Sequence, residues 1–376
     1  MILRNCSFKQ MKQEINKNNL KIVVYGAGVL GAITAASLIE QYNLTDLLDS
    51  YVDRDIHRQM QGVFIDNQRF EVKGYSYLEQ IKPRECAVIL AVSRCTEIIR
   101  QLMQLENLNE SPCYVLPMMC ISNYSCIEQK QSLSLNRNPV IPKKIHYMWL
   151  GGKNIPKNLQ KCIDSWSRFC PDYEIIRWDE NNYDINKNLY MKEAYENGAY
   201  GFVPDYARLD ILYNHGGIYL DTDVELIKSL DDLLCYDAFC GVEKWQTINF
   251  GGCSGAVKGN KMIKKFIEER AKERYLYEDG YANTNTCGYL DTMTAMKYGY
   301  IINGKTQMIS NMIIFSYDYF HPYDYMSQRV QKTSNTYSIH HFNGGWMNEE
   351  LKNENLKISD AYDELEKSIL VNERGY

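Results

Sequence analysis

The sequence predicts an α/β protein made of two successive sheet-and-helix domains. Three observations carry this. Residues 21–120 alternate short β-branched runs with helix-spaced segments, the rhythm of a parallel sheet covered by helices. A second stretch, from 141 to about 346, again mixes strands and helices, with more irregular loops. Finally, 376 residues are enough to bury two sizeable cores.

In the first domain, 1–125, "KIVVYGAG" is a β-branched strand and "VLGAITAASLIEQY" its helical continuation. "SYVDRD" reads as a second strand, "YSYLEQI" as a short helix and "CAVILAVS" as a buried strand. "TEIIRQLMQLENL" is a helix and "CYVLP" a last strand. Residues 126–140 are polar and aperiodic, a linker. "IPKKIHYMWLGG" opens the second domain, 141–350. The tail, 351–376, has helical spacing and charge, and is expected as a surface helix packed on the second domain.

Composition narrows the function. The net charge is −5, from 42 basic and 47 acidic side chains, which leaves no electrostatic footprint for nucleic acid. The run Ile22–Ile39 has the length of a membrane span, but Gly26, Gly28 and Gly31 divide it into a strand and a helix, so a soluble protein is expected. The N-terminal residues lack the apolar core of a signal peptide. The 12 cysteines form no C-x-x-C pair and are expected reduced and mostly buried, in a cytoplasmic protein.

The chemistry is concentrated in "FVPDYARLDILYNHGGIYLDTDVEL". Pro204 suits the first turn of a helix, where Asp205 complements the dipole. His215-Gly216-Gly217 stops that helix, and Ile218-Tyr219-Leu220 is a short internal strand. Asp205 and Arg208, three apart, share a helical face. The stop-and-return brings that face toward Asp221 and Asp223 at the strand's end. Two carboxylates this close need an offset to their repulsion. A hard divalent cation, Mg²⁺ or Mn²⁺, supplies it, with substrate phosphates completing the shell. Taken singly, each fragment reads as an ordinary surface feature; joined, they point to a site that binds a diphosphate.

This unit resembles the D-x-D sugar-transferase family 32, which includes yeast mannosyltransferases and bacterial capsular polysaccharide enzymes. It is similar, more distantly, to the glucosyltransferase domains of large clostridial toxins. The resemblance extends through "IPKKIHYMWLGGKNIPKNLQKCIDSWSRFCPDYEIIRWDE" and covers roughly residues 141–346. It implies a GT-A-type glycosyltransferase domain, preceded here by the small Rossmann-like parallel-sheet domain. It also implies a nucleotide-sugar donor, transfer with retention, and a glycan, polysaccharide or lipid-linked acceptor met at the cytoplasmic membrane face.

By the same resemblance Trp149 stacks on the donor's base, and Asp205 and Arg208 contact the donor sugar and its leaving oxygen. Asp221 and Asp223 hold the metal and the ribose-diphosphate, with Asp223 the direct ligand. In "IHHFNGGWMN", His341 is favoured over His340 as a further metal ligand, and Trp346 closes over the diphosphate. Gly345 stands where many relatives place Ser. Asn249 and Asp291, in glycine-rich stretches, read as turn residues before acceptor contacts.

The first domain carries G-x-G-x-x-G at Gly26, Gly28 and Gly31, between strand and helix, with Asp53 closing the next strand. Two readings stay open: a bound NAD or other nucleotide, or glycines kept for backbone packing. The first would make the protein an NAD-dependent oxidoreductase or nucleotide-sugar epimerase. A catalytically silent carbohydrate-binding protein is a third reading, which the intact Asp205/Arg208 and acidic pairs oppose.

Overall fold

The computed structural model describes residues 1–93, 95–124, 138–283, 287–324 and 327–343, together with 362, 363, 365–367 and 369. Most of the expected linker, and Gly344, Gly345 and Trp346, lie outside them. The chain divides into two compact units. One comprises Met1–Glu128, Ile301–Asn303 and Asn353–Tyr376; the other comprises Gln129–Tyr300 and Gly304–Lys352.

The first unit is built on a six-stranded sheet whose order is Ile2–Arg4, Pro112–Val115, Cys86–Leu90, Lys21–Tyr25, Leu48–Val52, Val72–Lys73. Every neighbouring pair is parallel. Strands buried on both faces read as continuous apolar runs, which is why Lys21–Tyr25 and Cys86–Leu90 are legible in sequence. The edge strand Ile2–Arg4 and the capped helix Phe8–Lys17 precede the expected first element. Ser7 and Gln10 form a reciprocal capping box there. The expected helix after the glycine turn begins as a π-turn, Leu30–Ala35, and continues as Ala36–Gln41. Beyond the last strand, Leu116–Tyr124 is an unforeseen buried helix. Tail residues Tyr362, Leu365 and Ile369 are helical and buried, at the spacing of one apolar stripe. They group with the first unit, not with the second as the sequence suggested.

The second unit has a mixed eight-stranded sheet. Its order is Glu174–Trp178, Lys144–Met148, Gly217–Tyr219, Ser254–Ala256, Ala238–Val242, Met312–Phe315, Gln307–Ile309, and Ile248–Asn249 pairs with Ala238–Val242. Gly217–Tyr219 runs parallel to Lys144–Met148 and antiparallel to Ser254–Ala256, so this short strand is internal. A separate pair, Val224–Leu226 with Ser338–His340, is antiparallel. The core of this unit gathers Ile145, Trp166, Ile218, Leu220, Phe239, Phe315 and Phe320. Trp166, in the helix Lys157–Phe169, is fully buried and donates its indole N–H to Val224 O at 2.8 Å. Ser165 accepts from Leu226 N at 2.8 Å. These two bonds clamp the chain just after Asp223, which fixes where the acids point. The parallel-sheet first unit and the mixed sheet of the second agree with the expected α/β class. Among the described residues no helix is long and apolar enough to cross a membrane.

Candidate active site

The helix Pro204–His215 has Pro at its first turn and Asp205 just after it. It ends at Gly216, with φ 66°, followed by Gly217, with φ 102°. Both conformations favour glycine, and a Cβ on Gly217 would lie 2.9 Å from His146 Nε2. The double glycine therefore reverses the chain tightly against Lys144–Met148 and delivers Asp221 to the strand's carboxyl end.

There Arg208 Nη2 lies 3.3 Å from Asp205 Oδ1 and 3.5 Å from Asp221 Oδ1. Arg208 and Asp205 are buried, and Tyr190 donates to Asp205 Oδ2 at 3.3 Å. The guanidinium carbon stands 5.7 Å from the centre of the Tyr219 ring. Burial alone would lower the Arg208 pKa, but Asp221 and Asp205 outweigh it and raise it well above the usual range. Arg208 is thus a permanent buried cation shared between two acids.

Asp221 is held by its own N–H, which donates to Gly251 O at 2.8 Å. Gly251 is required there, since a Cβ would fall 1.9 Å from Asp221 Oδ2. Desolvation raises the Asp221 pKa despite Arg208 and His340. Asp223 behaves oppositely. Burial pushes it up, but contact with His340, whose Nε2 is 3.2 Å from Asp223 Oδ1, brings it down to about 2. Asn343 N–H adds a bond to Asp223 Oδ2 at 2.9 Å.

Asp221, Asp223 and His340 each offer a ligand atom, all within 4.8 Å of one another. His340 is buried, its Nδ1 has no hydrogen-bond partner, and the Phe342 ring stacks on it with centroids 4.1 Å apart. Two carboxylates and an imidazole converging in this way fit a divalent cation. The expectation of His341 is corrected. His340 is the last residue of the strand Ser338–His340, opposite Val224, and its side chain faces Asp223. The next side chain turns away, and His341 Nε2 lies 3.0 Å from Glu225 Oε2.

Trp149 directly follows Lys144–Met148, parallel to the strand that carries Asp221, and so lies at the same end of the sheet. Its indole N–H donates to Lys153 O at 2.6 Å, and its ring packs partly against the core. Asn249 shapes the acid-bearing turn: its Oδ1 accepts from Gly251 N and Gly252 N, and its Nδ2 donates to Glu243 Oε1 at 2.7 Å. Asp291 is no turn residue. It lies buried in the helix Cys287–Lys297, 2.8 Å from Arg270, and burial raises it to about 6 against that pairing. Sequence reasoning missed Tyr190 and Gly251 altogether. For Gly251 the signal was the Asn-Phe-Gly-Gly run itself, which demands close backbone approach.

In the first unit the glycine turn lies where strand order reverses, between Lys21–Tyr25 and Cys86–Leu90. Gly26 has φ 102°, and a Cβ on Gly31 would be 1.8 Å from Gly26 O. The Asp53 carboxylate accepts from Ala27 N at 2.7 Å and pairs with Arg58 at 3.1 Å. Arg58 also covers Gly28. Asp53 thus braces the turn from within.

Residues 156–240 match the glycosyltransferase sugar-binding region containing the DXD motif. Among curated relatives, the chain is 27% identical over 176 residues to subversion of eukaryotic traffic protein A of Legionella pneumophila, covering 39% of this chain and 27% of that protein. It is 37% identical over 154 residues to inositol phosphoceramide mannosyltransferase 3 of Schizosaccharomyces pombe, covering 39% and 42%. An uncharacterized glycosyltransferase of Acanthamoeba polyphaga mimivirus is 28% identical over 196 residues, covering 49% and 74%. The chain therefore spans about a quarter to two-fifths of the length of the first two relatives. Asp205, Arg208, Asp221 and Asp223 all lie inside the segment that matches the glycosyltransferase sugar-binding region containing the DXD motif.

Proposed function

We propose that the protein is a metal-dependent, retaining glycosyltransferase that moves a sugar from a nucleotide-sugar donor to a glycan, polysaccharide or lipid-linked acceptor. The observation that carries this reading is the Arg208 guanidinium held between Asp205 and Asp221, beside the Asp221/Asp223/His340 cluster. Such a site offers fixed positive charge and a cation seat, which a departing diphosphate needs.

Asp221, Asp223 and His340 would hold Mn²⁺ or Mg²⁺, which neutralises charge on the diphosphate when bound. In transfer, the acceptor hydroxyl oxygen bonds to the anomeric carbon. The bond from that carbon to the diphosphate breaks with its electron pair, and the hydroxyl proton passes to the leaving diphosphate. Arg208 stabilises the charge on the leaving oxygens, preorganised because Asp205 and Tyr190 already fix its position. Asp205 orients sugar hydroxyls and Trp149 carries the base. Capsule or other surface polysaccharide is the acceptor class favoured by the sequence resemblance. The mannosyltransferase relative, named for inositol phosphoceramide, supports a lipid-linked acceptor at a membrane face. Free cysteines throughout the described residues fit a reducing, cytoplasmic setting.

The test is a panel of nucleotide sugars incubated with the chain and Mn²⁺, with and without chelator. One donor is expected to release free nucleoside diphosphate in a chelator-sensitive way. Asp223→Asn should slow that release at least about 100-fold, the scale lost with one preorganised charge in other enzymes. Undiminished turnover in this variant would remove Asp223 from the site.

A further inference from the structure

An imidazole that ligates a cation through one nitrogen carries its proton on the other. An acceptor for that proton fixes the tautomer and the aim of the ring. His340 presents Nε2 to Asp223 Oδ1 at 3.2 Å. Its Nδ1 has no hydrogen-bond partner, although the residue is only 6% exposed. A buried polar atom in this state calls for a partner. The Phe342 ring stacked on His340 has no lone pair to offer. Two other groups stand nearby. The His321 ring centre lies 5.6 Å away. The second is Glu243: burial would lower the His340 pKa, but Asp223, Asp221 and Glu243 together raise it. Of these two, the carboxylate is the stronger acceptor for an imidazole N–H.

Glu243 directly follows the strand Ala238–Val242 and is half-buried. One of its oxygens accepts from Asn249 Nδ2 at 2.7 Å, and a carboxylate has a second to offer. Burial raises the Glu243 pKa, and Asn249 and His340 act against that shift. Asp324 is engaged elsewhere, opposite Arg329 across the strands and interacting with Lys244. A single turn holds both ends of the link. Asn249 Oδ1 accepts from Gly251 N and Gly252 N, while Ser338 Oγ donates to Gly252 O at 3.1 Å. Ser338 begins the strand that ends in His340. Glu243 and His340 are thus tied to the same backbone segment. The cavity lined by Glu243, His321 and Phe342, among others, has room for about one water. That suits a bridge, not a ligand.

We propose that Glu243 is a positioning residue for the metal site: through one bridging water it receives the Nδ1 proton of His340 and so keeps Nε2 aimed at the cation shared with Asp221 and Asp223. This rests on the metal-dependent reading above. The experiment titrates the full chain with Mn²⁺ alone by calorimetry, in a double-mutant cycle of Glu243→Gln and His340→Ala. The glutamine carbonyl can still accept from Asn249, so the turn is kept while the charge is lost. Glu243→Gln is expected to weaken Mn²⁺ binding about tenfold or more. On the His340→Ala background the same change is expected to cost less than about twofold, because its effect passes through that ring. An unchanged affinity in Glu243→Gln overturns the assignment. So does a full loss that persists without His340, which would make Glu243 a general charge or packing group. If Glu243→Gln fails to fold, ¹⁵N shifts of the unsubstituted chain with Mg²⁺ decide, His340 being identified by its absence from His340→Ala. A proton on Nδ1 is expected, and a proton on Nε2 overturns the proposal. If the unsubstituted chain binds no Mn²⁺, the metal-dependent reading itself falls, and this inference with it.

Discussion

At the scale of single residues, His340 and Gly251 decide the site. His340 shares a cluster with both acids, whereas His341 makes a half-exposed pair with Glu225. Exposed pairs of this kind contribute about 0–1 kcal/mol. Removing a ligand should matter far more. His340→Ala is expected to weaken Mn²⁺ binding at least tenfold, about 1.4 kcal/mol or more, and His341→Ala by less than about threefold. Titration calorimetry with Mn²⁺ alone separates them, and equal losses would reinstate His341. Gly251 poses a different question, because its missing Cβ leaves room for Asp221 Oδ2. Only the end of a side chain must move in Gly251→Ala, so the fold should survive with a melting shift of a few degrees. Donor turnover should drop about 10- to 100-fold, since the displaced carboxylate leaves the cluster and Arg208. Turnover that falls no further than stability explains would refute that account.

At the scale of elements, the strand Lys144–Met148 is locked to the helix stop by His146. Its Nε2 lies 2.8 Å from Gly216 O, and Trp178 Nε1–H donates to its Nδ1 at 3.2 Å. The ring is therefore neutral, with the proton on Nε2. Burial lowers its pKa to about 4, with His215 and Lys144 reinforcing the shift and Gly216 O and Glu174 opposing it. The sign follows directly. Above pH 6.5 both folded and unfolded states carry neutral imidazole, and the stabilising contribution is complete. As pH falls from 6.5 toward 4, the unfolded chain takes up the proton first, so stability drains away. Between pH 6.5 and 5 this amounts to roughly 2 kcal/mol. Denaturant midpoints measured across that window should show the decline, and it should flatten in His146→Gln. An equally steep decline in the variant would assign it to other groups.

At the scale of the whole molecule, the second unit's core is packed from aliphatic and aromatic side chains independently of Asp221, Asp223 and His340. Chelator should therefore abolish turnover while leaving circular dichroism and the melting temperature of the metal-free chain in place. Loss of secondary structure on chelation would mean that the cation is structural. The folds of both units were largely legible in the sequence, because buried parallel strands advertise themselves as apolar runs and helix stops as glycine. The edge strand Ile2–Arg4 and the helix Leu116–Tyr124 were not. The first is only three residues long, and the second is mostly apolar without the alternating stripe that marks a surface helix.

The local chemistry was set by sequence alone. Pro204, Asp205 and Arg208 on one helical turn, the Gly216-Gly217 stop and the paired acids after Leu220 are all nearest-neighbour facts, governed by backbone dihedrals and helical spacing. The tertiary structure decided the rest. Which of two adjacent histidines joins the acids depends on the pairing of Val224–Leu226 with Ser338–His340, and a strand's alternation makes that a choice of face. Likewise, Glu243 and His321 become neighbours of the site only through sheet order and the Asn249 turn. Contacts between residues distant in sequence are set by register and packing, and neither is written in any local run of residues.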